Sequence, residues 1–327
     1  MKIGVVNRAN REGNTGFTAF EDGVLPYLLE DERFEPIDYT FHGGIRAITS
    51  EILLGRKVRK ADERNDYDVI FVPTHTQMMN IDQGKIDAQV VPYIHDMLVL
   101  SSPYYNFIYN LKGRKWLPNV KKCDVIFSAS DFTANDLKIR GGYKGEIETV
   151  YQGAGLETPE EVPGYEEREY DLIYVGEMKE RKNPEALRKV ADLAEENGMK
   201  MIAVNREELD LPCETPSNIS NEELKELYQN SKYYIHTPLM EGFGRCPVEA
   251  QSQGAVPIAL DTEINNEILA DAFIEFEEPE DAIETVKDLS ESDWQEYSEA
   301  SIENSKRFNF EETRERIKEK LVEVAKK

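Results

Sequence analysis

Strand-length apolar runs alternate with helical segments along this 327-residue chain, and that alternation restricts its fold more than any other feature. In the first half, the runs at residues 2–6, 67–72, 90–94, 124–128 and 146–151 read as strands, with helices at 20–29 and 133–140. The second half repeats the pattern. Its strands fall at 171–175, 199–204, 233–236 and 256–260, and a Ser220/Glu223 capping box opens a helix at 222–228. Such alternation builds mostly parallel sheets covered on both faces, an α/β fold. A chain of this length accommodates two domains of roughly 150 residues each. We therefore expect domains at residues 1–160 and 165–305, followed by a helical tail at 306–327 with an apolar stripe of Ile317, Leu321 and Val324.

Charge supports the same division. The chain carries 64 acidic and 39 basic residues, a net charge of -25. Up to Gly164 there are 19 basic and 24 acidic residues, and after it 20 and 40, so the acidity belongs to the second half. The boundary then falls in the Pro/Glu-rich stretch 157–165. Nucleic acid is disfavoured as the main partner, because duplex binding needs a dense basic face. A surface this acidic suits a high-salt cytoplasm, where screening is strong, and an ordinary cytoplasm equally.

The N-terminal residues lack the pattern of a signal peptide, and no apolar run approaches the roughly 18 residues of a membrane helix, so a cytoplasmic protein is expected. Three scattered cysteines, Cys123, Cys213 and Cys246, argue for a reducing compartment and against a disulfide framework or a zinc knuckle. The loop after the first strand does not carry the G-x-G-x-x-G pattern, which removes the main support for a nicotinamide enzyme.

The stretch 237–259, TPLMEGFGRCPVEAQSQGAVPIA, holds the chemistry. Gly242 and Gly244 flank Phe243 and let backbone N–H groups approach a ligand. Pro247 suits a helix start and Gly254 a left-handed stop, giving a short helix over 247–253. A glycine loop that opens onto a helix N-terminus binds anions. Glu241 and Glu249 frame it, with seven residues between them. Carboxylates beside a phosphate are better suited to neutral hydroxyls, so the pattern points to a nucleotide-sugar.

This run resembles the Glu-x7-Glu signature of glycosyltransferase family 4, retaining enzymes of the GT-B fold. The resemblance implies two Rossmann-like domains with parallel sheets facing a central cleft, and a tail that crosses back to the first domain. It implies hexosyl transfer from a nucleotide-sugar to a saccharide or lipid-linked acceptor. Glu241 would hold sugar hydroxyls and Glu249 the ribose, while the N–H groups of Phe243 and Gly244 would face the diphosphate. Two further cations usually hold that diphosphate; Lys182 stands at the lysine position, but Glu177 stands at the arginine position. Arg181 is the substitute, although adjacent residues do not point the same way on a regular element. Glu263 and Ile264 occupy positions that are glycine in the family, and Glu267 matches.

His95, at the end of the third apolar strand, would by the same resemblance bond a sugar hydroxyl; its plainer role is a structural histidine. No Asp-x-Asp pair is read as a metal site, so no divalent ion and no cofactor are expected. Two basic patches remain. Arg46, Arg56, Lys57, Arg59 and Lys60 flank Ile48, Ile52, Leu53 and Leu54, an amphipathic element suited to an anionic membrane, to a phosphate-bearing acceptor or to a plain solvated face. The run 112–122 with Trp116 suits an acceptor cleft. Two alternatives stay open: a protein that binds a nucleotide-sugar without transferring it, and a nucleotide-sugar epimerase on the same architecture.

Overall fold

The computed structural model describes residues 1–10, 16–40, 46–101 and 114–327, with the side chains of 46–52 and 101 outside the description. Its contacts divide the chain into two compact units: Met1–Gly153 together with Phe310–Lys327, and Ala154–Asn309.

The first unit is built on β1 (Ile3–Arg8), β2 (Phe34–Tyr39), β3 (Val69–Val72), β4 (Gln89–Ile94), β5 (Val125–Ser128) and β6 (Glu146–Thr149), ordered β2-β1-β3-β4-β5-β6. Every pairing is parallel. The central strands are buried throughout, as a sheet covered on both faces requires, which is why they read as unbroken apolar runs. Sequence reasoning missed β2. Its FEPIDY alternates buried and exposed positions and carries Pro36, which an edge strand tolerates because one side of its backbone has no partner.

The helix Phe310–Val324 completes this first unit. Thr313, Ile317, Leu321 and Val324 are buried, the Thr313 hydroxyl donates to the Tyr151 carbonyl at 2.9 Å, and Arg316 pairs with Glu148 at 2.7 Å. Lys318 pairs with Asp31 at 3.1 Å, and Lys320 with Glu146.

The basic element forms a helix, Arg46–Asn65, on which Leu54 and Val58 are buried while Leu53 is 57 % exposed. Leu54 and Val58 are thus used by the core and Arg56, Lys57, Arg59 and Lys60 are exposed, while the side chains of Arg46, Ile48 and Ile52 lie outside the described residues. Trp116 is 1 % exposed and packs 4.9 Å from the His75 ring, so it belongs to the core and lines no acceptor cleft. Residues 112–113 of that patch lie outside the described residues. Glycine inside a helix is worth about 1 kcal/mol less than alanine, yet a Cβ at Gly55 would stand 1.9 Å from the Asn80 carbonyl oxygen. Gly55→Ala is therefore expected to cost about 1–3 kcal/mol. A lower urea midpoint would bear this out, and a higher one would show that the Asn80 turn yields freely.

The second unit carries β7 (Tyr170–Val175), β8 (Met201–Val204), β9 (Ser231–His236), β10 (Val256–Ala259) and β11 (Ile274–Glu275), ordered β11-β10-β9-β7-β8, again all parallel. Counted from its own first strand, each sheet has the order 2-1-3-4-5, and β6 extends the first. In such doubly wound sheets the chain reverses direction between the first and third strands, and ligands gather beyond the carboxyl ends there. In the second unit that point is set by the loops after β7 and β9. Among the described residues, no helix is long and apolar enough to cross a membrane.

Candidate functional site

The loop after β9 runs through Thr237 to Gly244 and into the helix Arg245–Ser252. Gly244 caps that helix with φ +85°, and Gly254 ends it with φ +75°, both left-handed conformations that favour glycine. The helix starts two residues earlier than expected. Pro247 is its third residue, where the N–H it lacks would still find no intrahelical partner.

The loop after β7 supplies the cations. A tight turn, Glu180–Lys182, is pinned to the β9 loop by two bonds to its backbone. The Leu239 N–H donates to the Arg181 carbonyl at 3.0 Å, and the Thr237 hydroxyl donates to that of Lys182 at 2.7 Å. Both side chains then converge on Glu241: Lys182 Nζ meets Oε1, and Arg181 Nη1 lies 3.1 Å from the same oxygen. The expected divergence of neighbouring side chains fails because a tight turn, unlike a strand, lets both reach one side. Glu241 is buried, which by itself raises a carboxyl pKa, but the Lys182 and Arg181 charges outweigh burial and hold it at about 2.

Glu249 is also paired. Arg245 Nη2 lies 2.8 Å from its Oε1, an i,i+4 contact along the helix, and Gly155 passes so close that a Cβ there would stand 2.2 Å from Arg245 Nη2. Sequence reasoning left Arg245 out, although this spacing was visible. Glu177 turns to Lys179 at 2.5 Å and Arg206 at 4.0 Å and does not join the Glu241 cluster. Ile264 is buried in the helix Glu263–Leu269, which Thr262 caps, so it serves core packing here.

His236 ends β9 at 1 % exposure. Its Nδ1 lies 3.5 Å from the Tyr234 hydroxyl, and its Nε2 is buried without a hydrogen-bond partner among the described residues. Burial, helped by Lys182, pulls the imidazole pKa down to about 3, so the ring is neutral.

A polar network beneath the helix fixes its position. Gln251, fully buried, donates to the Ala272 carbonyl at 2.8 Å and accepts from Asn304 at 2.8 Å; Ser298 donates to the Gly254 carbonyl at 2.8 Å. Arg168, 4 % exposed, donates to the carbonyls of Pro163 (3.1 Å), Tyr228 (3.3 Å), Ser231 (2.7 Å) and Gln253 (3.2 Å), and its guanidinium lies 5.0 Å from the Trp294 ring centroid.

In the first unit His95 follows β4 and is buried. Its Nε2 lies 2.9 Å from the Pro73 carbonyl and therefore carries the proton, leaving Nδ1 to accept from Gln152 at 2.9 Å. Neither ring nitrogen is left for a sugar hydroxyl in this arrangement. Burial first, then His75, lowers its pKa to about 3. The sequence did not single out the neighbours: Glu21, fully buried, accepts from Thr74 at 3.2 Å and Gln77 at 3.3 Å, and Arg8 lies 4.0 Å away at the end of β1. The Asp-x-Asp at 66–68 precedes β3 at the amino end of the sheet, where Asp68 accepts from the Lys2 N–H at 2.7 Å.

Comparison with known proteins adds to this geometry. Residues 157–308, just under half of the chain, match the family model described as glycosyl transferases group 1. No curated protein matches the sequence. HepE of Anabaena, solved in complex with UDP and glucose, aligns over 99% of this chain and 100% of its own, with a TM-score of 0.74 and 16% identity. Sucrose-phosphate synthase of Thermosynechococcus elongatus aligns over 99% and 98%, with a TM-score of 0.79 and 12% identity. Trehalose-6-phosphate synthase OtsA aligns over 98% and 99%, with a TM-score of 0.70 and 10% identity. The fold is that of the GT-B glycosyltransferases, two Rossmann-like domains with parallel sheets.

Proposed function

We propose that the protein is a retaining glycosyltransferase that moves a hexosyl group from a nucleotide-diphosphate sugar to an acceptor hydroxyl. The convergence of Arg181 and Lys182 on Glu241, at the mouth of a glycine loop and a helix N-terminus, carries this reading. The group 1 match over the second unit and the UDP and glucose bound by HepE support it. Lys182, Arg181 and the N–H groups of Phe243 and Gly244, beside Gly242, receive the diphosphate. Glu241 accepts from sugar hydroxyls and Glu249 from the ribose.

The bond between the anomeric carbon and the diphosphate breaks with its electron pair going to phosphate. The acceptor oxygen bonds to that carbon on the same face, and its proton leaves on the departing phosphate. Positive charge builds on the sugar ring and negative charge on the diphosphate. The cationic side chains answer that negative charge in the role a divalent ion plays elsewhere. We assign the acceptor, saccharide or lipid-linked, to the first unit, in a protein that works in the cytoplasm or at the membrane surface. His95 serves there as a structural histidine.

Thermal shifts of the purified protein against UDP-, GDP-, ADP- and TDP-sugars test the reading. One nucleotide class is expected to raise the melting temperature, as any ligand of the native state does. Glu249→Ala should weaken that ligand about tenfold or more, the loss of one charge-assisted contact. Flat curves across the panel would remove the donor assignment. Glu177, Glu263 and Ile264, which depart from the family 4 pattern, favour a second reading of binding without transfer. Donor binding with no transfer to any acceptor would select it, and an altered sugar nucleotide formed without acceptor would select the epimerase.

A further inference from the structure

We propose that Glu241 is an internal counter-ion that makes the site favour a nucleotide-sugar over the bare nucleoside diphosphate, an inference that rests on the donor-site reading above. Glu241 Oε1 receives both Lys182 Nζ and Arg181 Nη1, and all three side chains are less than one-fifth exposed, so solvent ions screen the cluster weakly. Arg245 is held in the same manner by Glu249. The cations suited to a diphosphate are thus already neutralised by carboxylates of the protein.

Binding a diphosphate to Lys182 and Arg181 is therefore an exchange of anions. The incoming phosphate takes the cations, and Glu241 is left as a buried carboxylate. An unpaired buried carboxylate is costly unless hydrogen-bond donors replace its partners. A nucleoside diphosphate brings phosphate oxygens, which only accept. A nucleotide-sugar brings hydroxyls, which donate to the released carboxylate. The same opening is compensated on both sides by the substrate and on one side by the product.

His236 strengthens the demand for donors at this spot. The Tyr234 hydroxyl lies 3.4 Å from the Val175 carbonyl and 3.5 Å from His236 Nδ1, and donation to the carbonyl assigns the ring proton to Nδ1. The lone pair then sits on Nε2, which is buried without a partner and lies 4.0 Å from where a Cβ on Gly244 would stand. It faces the glycine loop as a second acceptor. A hydroxyl can satisfy it and an ionised phosphate oxygen cannot.

Isothermal titration of the full chain with UDP and with UDP-glucose, in wild type, Glu241→Gln and Glu241→Asp, tests the exchange. Wild type should prefer UDP-glucose by about tenfold or more. In Glu241→Gln, UDP should bind about tenfold tighter than in wild type and the preference should largely vanish, because the cations are no longer occupied. Glu241→Asp keeps the charge but retracts the carboxylate, and should fall between the two. It gives the readout if the glutamine variant does not fold. UDP affinity unchanged or reduced in both variants, with wild type still binding UDP-glucose, overturns the counter-ion role and leaves the donor site standing. Wild type that binds neither probe, nor any nucleotide-sugar of the thermal-shift panel, overturns the donor reading and this inference with it.

Discussion

Replacing Arg168 with methionine is expected to lower the stability of the second unit by about 3–5 kcal/mol, the sum of a few buried carbonyls left without a donor. The methionine fills much of the volume, so the loss comes from hydrogen bonding. Four carbonyl oxygens, those of Pro163, Tyr228, Ser231 and Gln253, lose a charged donor, and each buried acceptor left unmet costs about 1–3 kcal/mol. Part of this is offset, because the guanidinium has no carboxylate partner among the described residues and burial already pulls its pKa down to about 10. Arg168→Lys should recover less than half. A lysine ammonium cannot span four acceptors or lie flat over Trp294. Urea denaturation followed by circular dichroism gives the answer. A midpoint equal to wild type for the methionine variant would mean that water reaches those carbonyls.

The second large effect is a changed response to acid when Arg181→Met and Lys182→Met are combined. In wild type the Glu241 carboxyl titrates at about 2 in the folded state against an ordinary value of 4.5. A depressed carboxyl contributes stability that is complete above about pH 4.5 and is lost as the pH falls toward 2. That span corresponds to about 3 kcal/mol. Without the two cations burial dominates, and burial raises the pKa. Glu241 then opposes folding at neutral pH, and acid relieves it. The gap in denaturation midpoint between wild type and variant should therefore be widest near pH 7.5 and shrink by pH 4. A gap that stays constant would show that Glu241 is solvated. The same variant should bind nucleotide-sugars at least a hundredfold more weakly, from two lost charge-assisted contacts of about 1.5–3 kcal/mol each.

The alternation of apolar runs was enough to find the central strands of both sheets, because a strand covered on both faces must be apolar along its length. It could not reveal β2 or β11. One alternates polar residues at a sheet edge, and the other is two residues long. At the site, glycine spacing located the loop and its helix, since φ values near +80° leave few other residues possible. The meeting of Arg181 and Lys182 at Glu241 was not legible. It depends on a turn held by backbone bonds to Thr237 and Leu239, more than fifty residues further on. Gln251, Gln253 and Arg168 read as surface residues by type, yet all three are buried with their partners supplied by distant segments. Trp116 misled in the other direction, because its basic neighbours suggested a binding surface where the indole fills the core.

The helix Phe310–Val324 makes the first unit discontinuous in sequence, and this bears on how the chain matures as it leaves the ribosome. Residues 1–153 emerge early but must wait for 310–327 before Tyr151, Glu148 and Asp31 find their partners. At roughly 5–20 residues per second, synthesis of 154–309 takes on the order of ten seconds or more. The contiguous second unit can close during that interval. The first-begun half is thus the last to be finished, and chaperones that shield nascent chains would meet its open sheet first.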